Sequence, residues 1–180
     1  MIDIKHFVKN TNGTQNHAGI PAVNGAEDSN GSPKGLLKVE APLPITFRGV
    51  VYPWHLDHMN HMNVQHYVGV FDQSSWVLLS MLGMDSKYFR DRRSGMAALE
   101  QSISYKCELR SGEMFEIRSR VREVREKTIR VLHNMHKVST GVLAASTTIL
   151  GVHMDVEARK SSPLPAGVLD RAEALGALVR

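Results

Sequence analysis

The clearest periodicity in the chain runs from Val64 to Leu82. Val64, Tyr67, Val68, Phe71, Ser75, Leu78, Leu79 and Leu82 recur at the three- and four-residue spacing of one helix face. Asn63 (or Asn60) stands where an N-cap belongs, and Gly83 stands where a helix ends in a left-handed residue. Val70, Trp76, Val77 and Met81 fall partly outside that stripe. The pattern therefore predicts a helix that is apolar over more than half its circumference and buried on several sides. Ahead of it, Ile45–Tyr52 reads as a strand stopped by Pro53. Behind it, a basic loop with Arg90, Arg92 and Arg93 leads to four strand patterns with no further helix among them. These are Met96–Leu109, Glu113–Val124, Thr128–Val138 and the almost continuously apolar Val142–Met154. Val168–Val179 closes the chain as a terminal amphipathic helix.

The links Arg110-Ser111-Gly112 and Ser139-Thr140-Gly141 are short enough to imply antiparallel hairpins. One helix cannot cover five strands by packing on an edge, so the economical arrangement curls the sheet around the helix. That is an α+β protein of the hotdog type, an antiparallel five-stranded sheet wrapped around one long central helix. Such a unit leaves an open sheet edge and face, and a homodimer or homotetramer is expected.

Composition adjusts this picture at the ends. Between Lys9 and Gly35 the only large apolar residues are Ile20 and Val23, while Asn and Gly each occur five times. Too little surface can be buried there to offset ordering entropy, so residues 1–40 read as a loosely ordered arm. The domain then covers residues 41–165 and the C-terminal helix 166–180. Residues 1–40 hold four basic and four acidic side chains, so the net +4 belongs to the remainder. That charge could help with a phosphorylated ligand, and it is too small to argue for nucleic acid. Cys107 is the single cysteine, which excludes an internal disulfide and a cysteine-built zinc site. No apolar run is long enough to span a membrane, and Met1–Asn10 lacks a signal-peptide core, so the expectation is a cytoplasmic protein without membrane or nucleic-acid partners.

Chemistry concentrates in the segment Pro53-Trp54-His55-Leu56-Asp57-His58-Met59-Asn60-His61-Met62-Asn63-Val64-Gln65-His66-Tyr67. The segment resembles acyl-CoA thioesterases of the 4-hydroxybenzoyl-CoA thioesterase type, whose pattern is Asp-x-x-Gly-His-Val/Met-Asn-Asn-x-x-Tyr. Asp57, His61, Met62, Asn63 and Tyr67 match it in type and spacing. The thioester hydrolysis that this resemblance implies needs a base or nucleophile near the carbonyl carbon and donors aimed at the developing oxyanion. A carboxylate just ahead of a helix can supply the first, and the free N–H groups at the helix start the second. Gly83, Glu100 with Tyr105, Ser111-Gly112 and Val152-His153-Met154-Asp155 extend the resemblance over about residues 45–165. Asn60 replaces the pattern's Gly, which Asn tolerates because it enters left-handed backbone angles more readily than most residues. Val64 replaces its second Asn. A run around Trp54 is similar to the betainyl-CoA thioesterase subgroup, with the Trp displaced by one position.

The resemblance implies hydrolysis of an acyl-CoA to free acid and CoA, with no cofactor and no metal. Asp57 would activate water or attack directly to form an anhydride. The Val64 N–H would bind the oxyanion, while His61 and Asn63 hold the loop or orient the water. Tyr67, Glu100, Arg118 and Arg120 are the substrate-binding candidates, the two arginines for coenzyme A phosphates. In the resembling enzymes the site forms across a subunit interface.

Competing readings attach to the same residues. Asp57 could merely stabilise a turn, and Asp72, mid-helix, is a second carboxylate candidate. His55, His58, His61 and His66 are numerous enough to suggest a metal, but they straddle a loop-to-helix junction, which favours hydrogen-bonding roles. Arg118, Arg120 and Arg122 could form a solvated strand face with Glu116 as partner. Two other functions share the fold: a non-catalytic acyl-CoA-binding domain, and a hydratase or dehydratase. The first would have lost Asp57; the second would need Asn at position 59 and His at position 62, where Met59 and Met62 stand.

Overall fold

A computed structural model describes residues 43–177. The arm expected over residues 1–40 and the last three residues lie outside the described part. Strand β1 (Ile45–Val50) leads through a single 3-10 turn (Pro53–His55) into α1 (Val64–Met81). Helix α2 (Ser86–Arg92) follows, then β2 (Ser94–Tyr105), β3 (Met114–Val124), β4 (Thr128–Lys137), β5 (Leu143–Asp155), the two-residue β6 (Lys160–Ser161) and α3 (Val168–Ala174). The sheet is antiparallel throughout, in the order β1-β3-β4-β5-β2, with β6 added beside β5. It is the hotdog arrangement, with one short strand more than five.

Helix α1 begins and ends where capping chemistry puts it. The Asn63 side chain accepts from the Gln65 N–H at 3.1 Å, and Gly83 leaves the helix at φ +85°. A side chain at Gly83 would also collide with Arg171, whose Nε donates to the Leu82 carbonyl at 2.6 Å and ties α3 to the end of α1. The basic loop expected around Arg90 is instead helix α2. Asp85 caps it by accepting from the Tyr88 N–H at 2.7 Å, and Arg93 closes it in a left-handed conformation. Seven residues give too few periodic positions for a sequence pattern to register.

The core falls into two clusters, one under each half of α1. Tyr67 and Phe71 pack with Val51, Leu109, Phe115, Ile117 and Met135; Leu78 and Leu82 pack with Met84, Phe89, Val121, Ile129 and Val168. Phe71 is fully enclosed, and its truncation to Ala would cost about 3–5 kcal/mol. The expectation that α1 is buried on several sides is not met within one chain. Val64, Val68, Trp76, Val77 and Met81 are all exposed. Trp76 still meets Phe89 of the second cluster, with ring centroids 5.7 Å apart, so these five residues leave the helix only partly covered within one chain.

Candidate functional site

The loop before α1 is a small hairpin closed by an isolated bridge between Leu56 and Met62. The Asp57 N–H donates to the His61 carbonyl at 3.0 Å, and the Asn60 N–H donates to the Asp57 carbonyl at 3.0 Å. Asn60 takes the left-handed position of the turn at φ +60°, which is the accommodation expected for Asn in place of Gly. Asp57 fixes the turn further by accepting the Met59 N–H on Oδ1 at 2.8 Å. Its other oxygen, Oδ2, lies 3.5 Å from His61 Nδ1. The carboxylate is thus oriented by its own turn while one oxygen stays directed at the His61 ring.

Two backbone contacts tie this hairpin to the β2–β3 link and to the 3-10 turn before it. The Met62 N–H donates to the Leu109 carbonyl at 2.7 Å, and the Asn63 N–H to the His55 carbonyl at 2.8 Å. The Asn63 bond is made by its backbone, which ties the start of α1 to the 3-10 turn. In the first turn of α1 the Gln65 N–H goes to Asn63 Oδ1 and the His66 N–H to the Asn63 carbonyl. The Val64 N–H has no acceptor that the helix could supply. A donor at the positive end of an eighteen-residue helix suits a developing oxyanion.

His61 and Val64 share a cavity of about 240 Å³ with Met62, Tyr67, Tyr105, Lys106, Cys107 and Glu108. Asp57 is not on the cavity wall; its contact with His61 links it to that wall. Tyr67 is buried edge-to-face against Tyr105, with ring centroids 5.1 Å apart. Burial pushes its hydroxyl up to about 12, so it is a neutral donor at any physiological pH.

The other binding candidates are not gathered here. Glu100 is exposed midway along β2 and lies 3.6 Å from Arg130. Arg118 and Arg120 point to the outer face of β3, because strand alternation turns Phe115, Ile117, Ser119 and Val121 toward the helix. Arg118 is held by Glu116, with Nη2 2.7 Å from Oε1, and Arg48 takes the other carboxylate oxygen at 3.3 Å. The Arg118 hydrogen bond holds the Glu116 carboxyl below its ordinary range. That is the ion-paired strand face, and within one chain it is separate from Asp57. Of the four histidines, His55 accepts the Tyr52 N–H on Nδ1 at 3.1 Å and lies against His66 with ring centroids 4.6 Å apart. Among the described residues no three His, Cys, Asp or Glu side chains come together in a metal-binding group.

A second cavity of about 240 Å³ was not read from the sequence. It opens between α1 and strands β2, β4 and β5, lined by Val68, Asp72, Ser75, Trp76, Met96, Gln101 and other mainly apolar residues. Asp72 carries the only formal charge on its wall. Ser75 connects it to a buried polar chain through His133, Ser119 and Thr46. A signal for part of this existed, since Ser119 and His133 sit at inward-facing positions of otherwise apolar strand faces.

A family model for the thioesterase-like superfamily matches residues 51–172. The chain belongs to that superfamily. Among individual proteins it is 28% identical over 142 residues to an L-carnitine dehydrogenase/betainyl-CoA thioesterase of Rhizobium meliloti, covering 79% of this chain and 28% of that one. It is 24% identical over 130 residues to a betainyl-CoA thioesterase of Pseudomonas aeruginosa, covering 72% and 82%. The chain thus spans little more than a quarter of the first relative and most of the second. A Staphylococcus aureus protein solved in complex with CoA shares the fold, with a TM-score of 0.70 at 18% identity over 78% of this chain and 89% of that one. Among the described residues no helix is long and apolar enough to cross a membrane.

Proposed function

We propose that this protein hydrolyses an acyl-CoA thioester to the free acid and CoA, with Asp57 as the activating carboxylate. One observation carries the reading. A carboxylate fixed by its own turn lies 3.5 Å from His61, and His61 shares a cavity with Val64, whose N–H at the helix start is free of intrahelical bonding. Asp57 takes a proton from water, the water oxygen attacks the carbonyl carbon, and the Val64 N–H receives the oxyanion. Collapse of the tetrahedral intermediate releases CoA as the thiolate, which takes up a proton. His61 orients the carboxylate or the water.

The working unit in this reading is a pair of chains. Val64, Val68, Asp72 and Trp76 form one exposed row at four-residue spacing along α1, and β2 is an open sheet edge with Leu99 and Tyr105 exposed. Antiparallel packing of two α1 helices about Val68 sets Val64 of one chain opposite the partner's Asp72. A short acyl group held at Val64 would then enter the partner's mid-helix cavity. A carboxylate and an indole ring, with no cationic side chain on the cavity wall, suit a positively charged acyl group such as a quaternary ammonium. The two betainyl-CoA thioesterase relatives support the same substrate class.

Thiol release from aliphatic, aromatic, hydroxylated and quaternary-ammonium acyl-CoAs tests this proposal, comparing the wild type with Asp57→Asn. Turnover by the wild type and its loss in a variant that melts normally is the expected result. Binding of CoA esters without thiol release from any of them would make the protein a non-catalytic acyl-CoA-binding domain.

A further inference from the structure

Four polar side chains from three strands and the helix form one continuous chain in an otherwise apolar interior. Thr46 Oγ1 lies 2.6 Å from Ser119 Oγ, Ser119 Oγ 2.5 Å from His133 Nδ1, and His133 Nε2 3.0 Å from Ser75 Oγ. Thr46, Ser119 and His133 are buried, and Ser75 emerges on the wall of the mid-helix cavity beside Asp72 and Trp76. Burying so many polar groups costs stability unless each is satisfied, and here each is.

The protons can run along this chain in two directions. In one, Thr46 donates to Ser119, Ser119 to Nδ1, Nε2–H to Ser75, and Ser75 to the Phe71 carbonyl at 3.0 Å. In the other, Ser75 donates to Nε2, Nδ1–H to Ser119, Ser119 to Thr46, and Thr46 to the Ile117 carbonyl at 3.4 Å. The first uses only bonds of 3.0 Å or shorter and fixes His133 as the Nε2–H tautomer. Either direction points the Ser75 proton away from the cavity. Only lone pairs of Ser75 Oγ are left to face it.

We infer that Ser75 is a specificity-determining residue of the acyl cavity, with His133 as the positioning residue that keeps its hydroxyl oxygen an obligate acceptor. This rests on the cavity being the acyl subsite proposed above. Oγ and the Asp72 carboxylate then present two acceptors, and Trp76 an electron-rich ring, to the same ligand group. The polarised C–H groups of a trimethylammonium can use all three. A neutral tert-butyl group of the same shape cannot, since its C–H groups are not polarised by a charge.

The test compares kcat/KM for betainyl-CoA with that for 3,3-dimethylbutanoyl-CoA, its isostere with carbon in place of nitrogen. The wild type is expected to favour the cationic ester. Ser75→Ala is expected to lower that ratio about fivefold to tenfold, Ser75→Thr to restore most of it, and His133→Asn to lower it when melting shows a folded protein. An unchanged ratio in a folded Ser75→Ala protein overturns the assignment of Ser75. A ratio that falls in Ser75→Ala and holds in folded His133→Asn overturns the role of His133. A wild type that hydrolyses both esters without preference overturns the cationic cavity and Ser75 with it, yet leaves Asp57 standing. One that hydrolyses no acyl-CoA overturns the hydrolysis itself.

Discussion

The two ends of the proposed site are built in different ways. At the N-terminus of α1, Asp57, Met59, Asn60, His61 and Asn63 lie within seven residues and are held by one another's backbone and side chains. At mid-helix, the cavity draws its wall from α1, β2, β4 and β5, and its buried polar chain reaches back to β1 and β3. Local construction suits a group that must keep one fixed geometry, because only the turn itself has to be right. Long-range construction suits selection of the acyl group, because substitutions on any of several strands reshape the wall. The proposed function thus puts its chemistry in the locally built loop and its recognition in the cavity built from distant strands.

The separation can be broken first at the helix start. Val64→Pro removes the N–H proposed to bind the oxyanion, at a first helical position where proline is tolerated. Asn63 at φ −66°, ψ 142° already has the extended backbone that a following proline demands. The fold should survive with an unchanged circular dichroism spectrum, while kcat falls by about a hundredfold to a thousandfold. Retained turnover would move the oxyanion site elsewhere.

A second prediction concerns the buried chain behind the cavity. Burial pushes His133 down from the ordinary 6.5 to about 4, so the folded protein binds this proton later than the unfolded chain does. Stability from this group is therefore complete above about pH 6.5 and falls as pH drops toward 4, by about 3 kcal/mol in all. Urea midpoints between pH 7.5 and 4.5 should show the slope, and His133→Asn should flatten it relative to the wild type. Equal slopes in the two proteins would remove His133 as its source. The smallest effect belongs to the cap. Asn63→Ala forfeits the bond to the Gln65 N–H and should cost about 1 kcal/mol of stability, read from the same midpoints.

The same contrast explains what the sequence made legible. Helix α1, its cap and its Gly83 stop follow from spacing and turn chemistry among near neighbours, and so does the left-handed Asn60. The order of one long helix and five main strands was enough for the curled sheet. Helix α2 escaped because it is short and its arginines look like loop composition. Glu100 entered through the resemblance, and alternation along β3 put Arg118, Arg120 and their possible partner Glu116 on one strand face, but alternation does not say how far that face lies from Asp57. Ser119 and His133 were in plain register with the inward apolar positions. Their pairing depends on which strands become neighbours, and only the β1-β3-β4 order brings Thr46, Ser119 and His133 together.

The central claim is that Asp57 performs the chemistry while Asp72 selects the acyl group. Steady-state thiol release by Asp57→Asn and Asp72→Asn, measured side by side on one acyl-CoA that the wild type hydrolyses, tests it most directly. The account predicts that kcat falls by about a hundredfold to ten-thousandfold in Asp57→Asn, whereas Asp72→Asn chiefly raises KM for a cationic ester and keeps most of kcat. Loss of kcat in Asp72→Asn alone, with Asp57→Asn turning over like the wild type, would contradict it.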